Sequence, residues 1–276
     1  MILSKIVAAK IKCLVEQKKN ASLEELKAKI KDRPARLPGC FAAALTANSS
    51  SAPAINPGKG IALIAEVKRA SPSKGMIAPD FNYLQVASNY EQFGAGAISV
   101  LTEEDYFLGS PVYLQEIREQ VQIPLLRKDF IIDPYQIYES ILLGADAILL
   151  IVSLLKDSEL KEFLKIADSI GLDCLVEAHD QIEVERALAA SAKVIGINNR
   201  DLQTFTVDLE NSRKLGEMIP DRIIKVSESG INSAADIQSV YDWGFDAVLI
   251  GEALMKADNL QQKFAEFSKL GTEVPE

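Results

Sequence analysis

The residues best suited to chemistry stand where apolar runs end. In IALIAEVKRASPSKGMI, residues 61–77, a run typical of a strand buried on both faces gives way to Glu66, Lys68, Arg69, Ser71, Ser73, Lys74 and Gly75. Residues two apart on a strand share a face, so Glu66 and Lys68 point the same way. A carboxylate and an ammonium there are costly unless they meet each other, a ligand or water. The Ser-Pro-Ser-Lys-Gly stretch that follows adds hydroxyls, a cation and a pliable backbone, which suit a phosphate. Taken alone, Glu66 and Lys68 also fit an incidental surface ion pair, a common feature of little worth.

The same arrangement recurs along the chain. Apolar runs are followed by Thr102 and Glu103, by Arg127, Lys128 and Asp129, and by Glu177. Later ones are followed by Asn198, Asn199 and Arg200, by Ser227, Glu228, Ser229 and Gly230, and by Gly251 and Glu252. The run AILLIVSLL, residues 147–155, ends almost without charge and suits an apolar wall for an aromatic or aliphatic ligand. Lysines and glutamates at close quarters can divide proton donor and acceptor roles. A lysine serves as an acid near neutral pH if burial and neighbouring cations lower its pKa. Any one of these residues could be a satisfied rim residue; their joint recurrence argues against that reading for the set.

The elements that position them follow a repeating plan. Strand-like runs begin near Ile61, Ala97, Pro124, Ala147, Asp173, Val194, Ile223 and Ala247, with helical patterns between them. GAGAISV, GADAILL and GFDAVLI each place a glycine at a helix end before a strand. Ser110-Pro111 and Asp133-Pro134 put a cap before a proline suited to the first helical position, and Ser233 with Asp236 resembles a capping box. The expected fold is α/β, a (β/α)8 TIM barrel, in which all strand ends meet at one face and the last two loops bind phosphate. The first strand is not followed by G-x-G-x-x-G, so a dinucleotide fold lacks its fingerprint.

Ahead of the barrel, residues 3–19 carry apolar positions at helical spacing: Leu3, Ile6, Val7, Ile11, Leu14 and Val15. Ser22 and Glu25 form a capping box for a second helix, and FAAAL suggests a short third one. Residues 1–47 are thus read as an N-terminal helical extension packed on the barrel. Residues 48–60, rich in Ser, Pro and Gly, are read as a mobile loop, and residues 61–276 as the barrel, one domain overall.

Bulk properties narrow the function. A length of 276 residues fits one such barrel, and 48% hydrophobic residues suffice for its core. A formal charge of −9 argues against nucleic acid and against an anionic membrane surface. An anionic ligand must then be attracted locally. Cys13, Cys40 and Cys174 are scattered, as in a reduced compartment, and with the lone His179 they make no convincing metal site. His179 itself is read as a structural or loop residue. The basic amphipathic N-terminus lacks an h-region and arginine, so a folded helix is expected rather than a targeting peptide, and a cytoplasmic location. The sequence is compatible with a monomer.

IAEVKRASPSKGMI, LTEEDYFLGS, LLRKDFIIDPYQIYES, GADAILLI, LVEAHD, IGINNRDLQTFTVDL, VSESGI and LIGEALM resemble the successive strand-end motifs of the indole-3-glycerol-phosphate synthase family. The resemblance runs from about Leu3 to Met255 and includes the N-terminal helices that family adds to its barrel. EVKRASPSKG, RKDF and NNRDL in that order are highly specific together and weaker singly. The resemblance implies a carboxy-lyase of tryptophan biosynthesis that needs no metal and no organic cofactor. Its substrate would be a small phosphorylated molecule, 1-(2-carboxyphenylamino)-1-deoxyribulose 5-phosphate. It implies roles at matching positions. Lys128 would be the general acid toward the ribulose carbonyl oxygen. Lys68 would hold the substrate carboxylate and share in the later dehydration. Glu177 would be the acid/base residue of dehydration, with Glu66 orienting both lysines. Asn198 and Glu228 would bond the sugar hydroxyls and the lysines. Ser71, Ser229, Gly230, Gly251 and Glu252 match the phosphate end; Phe107, Phe130, Leu149, Arg200 and Leu202 match the anthranilate pocket.

One position departs from the pattern. Some members of the family carry Ser where this chain has Glu252. A carboxylate repels a phosphate, so residue 252 is expected to donate its main-chain N–H with the side chain turned to solvent. Another phosphate-handling barrel, such as a phosphoribosylanthranilate isomerase, would not be expected to show the EVKRASPSKG and RKDF pair. A barrel that binds a phosphorylated metabolite without turnover, or a partner subunit, would not need Glu66, Lys68, Lys128, Glu177 and Asn198 together.

Overall fold

The computed structural model describes residues 2–31, 37–46, 60–201 and 204–268. Apart from Gly60, the segment expected to be a loop at 48–60 lies outside the described residues or beside them, and so does Leu202. Eight parallel strands form a closed barrel: β1 (Ala62–Val67), β2 (Ala97–Leu101), β3 (Leu125–Lys128), β4 (Ala147–Ile151), β5 (Asp173–Ala178), β6 (Val194–Asn198), β7 (Ile224–Glu228) and β8 (Ala247–Ile250). Each pairs with its neighbours in the chain, and β1 closes the ring on β8 through Ala62↔Ala247. Every strand begins within one residue of its expected start.

The alternation of the strands builds two cores. Inward residues such as Ile64, Leu126, Leu149, Leu175, Val226 and Leu249 fill the barrel. Outward residues such as Leu63, Ile98, Leu125, Ile148, Val176 and Val248 meet the outer helices, among them α4 (Tyr83–Gln92), α7 (Asp157–Ser169) and α12 (Leu260–Phe267). Those helices start where their caps direct. Ser110 accepts from the N–H of Val112 at α5 (Pro111–Gln120), and Asp133 from that of Tyr135 at α6 (Pro134–Leu143). Asp180 accepts from Glu183 N–H at α8 (Gln181–Ala189), and Ser233 forms its box with Asp236 at α10 (Ala234–Asp242). A side-chain acceptor at such a cap satisfies an N–H that the helix itself leaves unpaired.

Three further helices precede the barrel: α1 (Ile2–Asn20), α2 (Leu23–Lys31) and α3 (Cys40–Ala44). Phe41 and Leu45, fully buried, join the inner core at the end of the barrel where the strands begin. Asp173, the first residue of β5, accepts from the N–H of Ala42 at 3.0 Å. This short helix closes the lower opening of the barrel. Leu14 of α1 and Leu26 of α2 pack with Tyr135 of α6. On α1 the buried face is Ile6, Lys10 and Leu14, while Ile11 and Val15 are each 51% exposed. Ile6 and Leu14 of the expected apolar set are thus buried, and Ile11 and Val15 are not. The i, i+4 row that meets the barrel includes a lysine, because Asp129 waits opposite it.

Candidate active site

The strand ends surround a cavity of about 670 Å³, a size suited to a small-molecule ligand. Its lining includes Glu66, Lys68, Ser71, Phe107, Lys128, Phe130, Leu149, Glu177, Asn198 and Arg200. Glu228, Ser229, Gly230, Gly251 and Glu252 complete it, so every described residue of the expected site converges here. Leu202 lies outside the described residues. Ile2, Leu3 and Ile6 of α1 also line the cavity, so α1 lies across its mouth.

Lys128 stands at the centre. It closes β3 with its side chain inward, and its Nζ donates to Glu177 Oε2 and to Glu228 Oε2, each at 2.7 Å. Glu66 and Lys68 form the neighbouring pair, 2.5 Å apart. Burial alone would lower the pKa of Lys128; Glu177, Glu228 and Glu66 outweigh it and hold the group well above the usual lysine value. This reverses the expectation of a lysine made acidic by neighbouring cations. The charges nearest Lys128 are carboxylates, so it is an ammonium, a standing donor.

The two carboxylates on Lys128 differ. Burial would raise both. Glu177 is held well below the usual range by Lys128 and His179. Glu228 has Lys128 alone against the like charges of Glu177 and Glu66, and is pushed up to about 7. Its Oε1 is buried without a hydrogen-bond partner. Environments that drive two carboxyls apart in this way give them different charge at neutral pH: Glu177 is ionised and Glu228 stands near its midpoint.

The rest of the expected site divides by element. The rings of Phe107 and Phe130 stand 6.1 Å apart on one wall, with buried Leu149 of the charge-free β4 end lining the same cavity. Asn198 Oδ1 accepts from the backbone N–H of Arg200 at 3.0 Å; it is committed to that turn rather than to a lysine. At the other end Ser229 and Gly230 both have left-handed backbone, φ 68° and 83°. Such a conformation is unusual for serine and is held here by Asn199, whose Nδ2 donates to Ser229 O and to Ser227 Oγ at 3.0 Å. Glu252 opens α11 (Glu252–Met255). Its side chain is not turned free to solvent: Lys256 Nζ is 2.6 Å away and Lys74 Nζ 3.8 Å. The carboxylate is neutralised by the lysine that follows its helix, which lessens its conflict with an anion.

Several strand-end residues do not enter the cavity. Arg127 points outward and is buried, bonding Asp129, Thr102, Ser140 and Glu139. Asp129, which does line the cavity, also receives Lys10 of α1 at 2.8 Å. Asn199 and Ser227 likewise form an outward network with Ser212. His179, expected to be a structural or loop residue, touches Glu177; the two stand at i and i+2 where β5 ends, a spacing present in the sequence. Among the described residues no cluster of three or more His, Cys, Asp or Glu could hold a metal ion. No described helix is long and apolar enough to cross a membrane.

Comparison with known proteins agrees with the geometry. The family model of indole-3-glycerol phosphate synthase matches residues 3–267. An indole-3-glycerol phosphate synthase of Acetivibrio thermocellus is 49% identical over 97% of this chain and 99% of its own. One from Ruminiclostridium cellulolyticum is 53% identical over 75% of this chain and 79% of its own. Among solved structures, a thiamine phosphate pyrophosphorylase of Pyrococcus furiosus superposes with a TM-score of 0.56 at 18% identity, over 75% of this chain and 94% of that one. A mandelate oxidase mutant does so at 0.59 and 18%, over 75% and 71%. These two similarities speak to the barrel alone. Matched across nearly all its length, the chain belongs to the indole-3-glycerol phosphate synthase family.

Proposed function

We propose that the chain converts 1-(2-carboxyphenylamino)-1-deoxyribulose 5-phosphate to indole-3-glycerol phosphate, carbon dioxide and water. It would thus act as a cytoplasmic carboxy-lyase of tryptophan biosynthesis. Residues 1–47 would serve as a helical extension of one barrel domain spanning 61–276, with α1 over the mouth and α3 under the floor. The observation that carries this reading is Lys128, an ammonium held 2.7 Å from both Glu177 and Glu228 inside a cavity with an aromatic wall.

In this reading the phosphate binds at Ser229, Gly230, Gly251 and the backbone of Glu252, with Ser71 across from them. The anthranilate ring lies against Phe107, Phe130 and Leu149, bordered by Arg200. Lys68 holds the ring carboxylate. The ring carbon bearing that carboxylate attacks the ribulose carbonyl, and Lys128 gives its proton to the developing alkoxide. A charge-assisted donor in a water-poor site stabilises that oxyanion far more than water does. Carbon dioxide leaves and the ring regains aromaticity. The new hydroxyl then departs as water, with Glu177 and Lys68 moving the protons and Glu66 holding Lys68. Asn198 and Glu228 face the sugar hydroxyls.

The test is indole fluorescence on mixing the protein with that substrate in the presence of EDTA. A rise in signal is expected, and Lys128→Met should reduce it by about 10²-fold or more while the far-ultraviolet circular dichroism stays unchanged. A flat trace from the parent protein that binds the substrate by calorimetry would replace this reading with a binding barrel.

A further inference from the structure

His179 stands at the turn from β5 into α8, and its side chain is 14% exposed. The ring lies between two carboxylates. Nδ1 is hydrogen-bonded with Glu183 Oε2 at 3.0 Å, and Nε2, which makes no hydrogen bond, lies at an ion-pair distance of 3.3 Å from Glu177 Oε1. The backbone N–H of His179 donates to the same Glu183 oxygen at 2.8 Å, and Asn211 Nδ2 donates to its carbonyl at 3.1 Å. Backbone and ring are therefore both fixed. The charged groups at the ring are Glu177 on β5 and Glu183 on α8; from α9 (Glu210–Gly216), the uncharged Asn211 meets the backbone carbonyl.

A neutral imidazole has one N–H and would turn a lone pair toward one of these carboxylates; an imidazolium suits both. Burial alone would lower the pKa of His179, but Glu177 and Glu183 outweigh it and push it up to about 10. Glu177 thereby sits between two cations, with Lys128 on its other oxygen at 2.7 Å. Glu228 has only one.

We propose that His179 is a positioning residue, a standing imidazolium that holds Glu177 ionised and aimed at Lys128, so that Glu177 enters the dehydration as a base. This rests on the reaction proposed above. Glu177 takes the proton whose C–H electron pair becomes the indole double bond, while the hydroxyl leaves as water on a proton from Lys68.

The chain has one histidine, which makes the test direct. In tag-free protein labelled with nitrogen-15 histidine, the ring signals should be those of an imidazolium from about pH 6 to about pH 8.5. A neutral ring at neutral pH overturns the proposal, whether or not the protein turns over substrate. For His179→Gln, kcat should fall roughly 10-fold or more with KM within about threefold, and the acid limb of kcat should move about one unit upward, since Glu177 loses a cation. Glu183→Gln keeps the imidazole and should move the same limb by less. Folded variants whose pH profiles superpose on the parent would overturn the base role. A parent protein without turnover would defeat the reaction and the base role together, while the ring signals still decide the charge state.

Discussion

Lys10 of α1 and Asp129, the residue after Lys128, form a buried ion pair with Nζ 2.8 Å from Oδ1. Asp129 is also held by Arg127 and Thr102 and accepts from the N–H of Phe130. Burial alone would raise the Asp129 carboxyl; Arg127 and Lys10 outweigh it and lower it. One carboxylate thus links the helix across the mouth to the strand end that carries the central lysine and to the aromatic wall.

Lys10→Met should loosen that link. Removing one partner of a buried pair costs about 3–5 kcal/mol, and here part of it is recovered by Arg127, so a loss near ~3 kcal/mol is expected. Calorimetry would measure it. Hydrogen exchange should quicken over Ile2–Asn20 and KM should rise. Unchanged exchange in α1 would mean that Leu14 and its apolar contacts hold the helix without the lysine.

Gly196 lies in β6 beside Glu177 in register, and a Cβ there would overlap Glu228 Oε1 and come within 3.1 Å of Leu175 Cδ1. The site needs glycine at this position for room, not for backbone freedom. Gly196→Ala should displace Glu228 from Lys128 and lower kcat by about 10-fold or more, with a stability loss of about 1–3 kcal/mol from overpacking. Activity assays beside thermal melts would separate the two. A stable variant with parent kcat would show that Glu228 can move without consequence.

Glu228 carries a stability cost that depends on pH. Its folded pKa, about 7, lies above the unfolded value, so the folded state binds the proton more tightly. The stabilisation is complete below the unfolded pKa and is lost as pH rises through about 7. By linkage the ionised group destabilises the fold above that value. Glu228→Gln should therefore melt higher than the parent at about pH 8, with a smaller gain at about pH 5, and turn over more slowly. Equal gains at both values would remove the titration from the explanation.

Much of this was legible in the sequence, for a physical reason. Strands buried on both faces leave apolar runs, and a barrel gathers their ends at one face, so Glu66, Lys128, Glu177 and Glu228 could be grouped before any contact was known. Caps such as Asp133-Pro134 are local and were equally plain. What stayed hidden depends on distant partners. Lys10 reads as the polar side of a helix until Asp129 is set opposite it. FAAAL reads as a short helix, with nothing to say that Phe41 lies beneath the barrel. The acidity of Lys128 was misjudged because spacing does not reveal which charges end up nearest.

Phe41 and Leu45 seal the lower end, so the upper opening serves for both entry and departure. Under the proposed reaction one bulky molecule enters and three leave by the same route. That opening is bordered by Ile2, Leu3 and Ile6 of α1. The sealed floor thereby sets a helix that carries none of the reacting groups beside the one route shared by substrate and products.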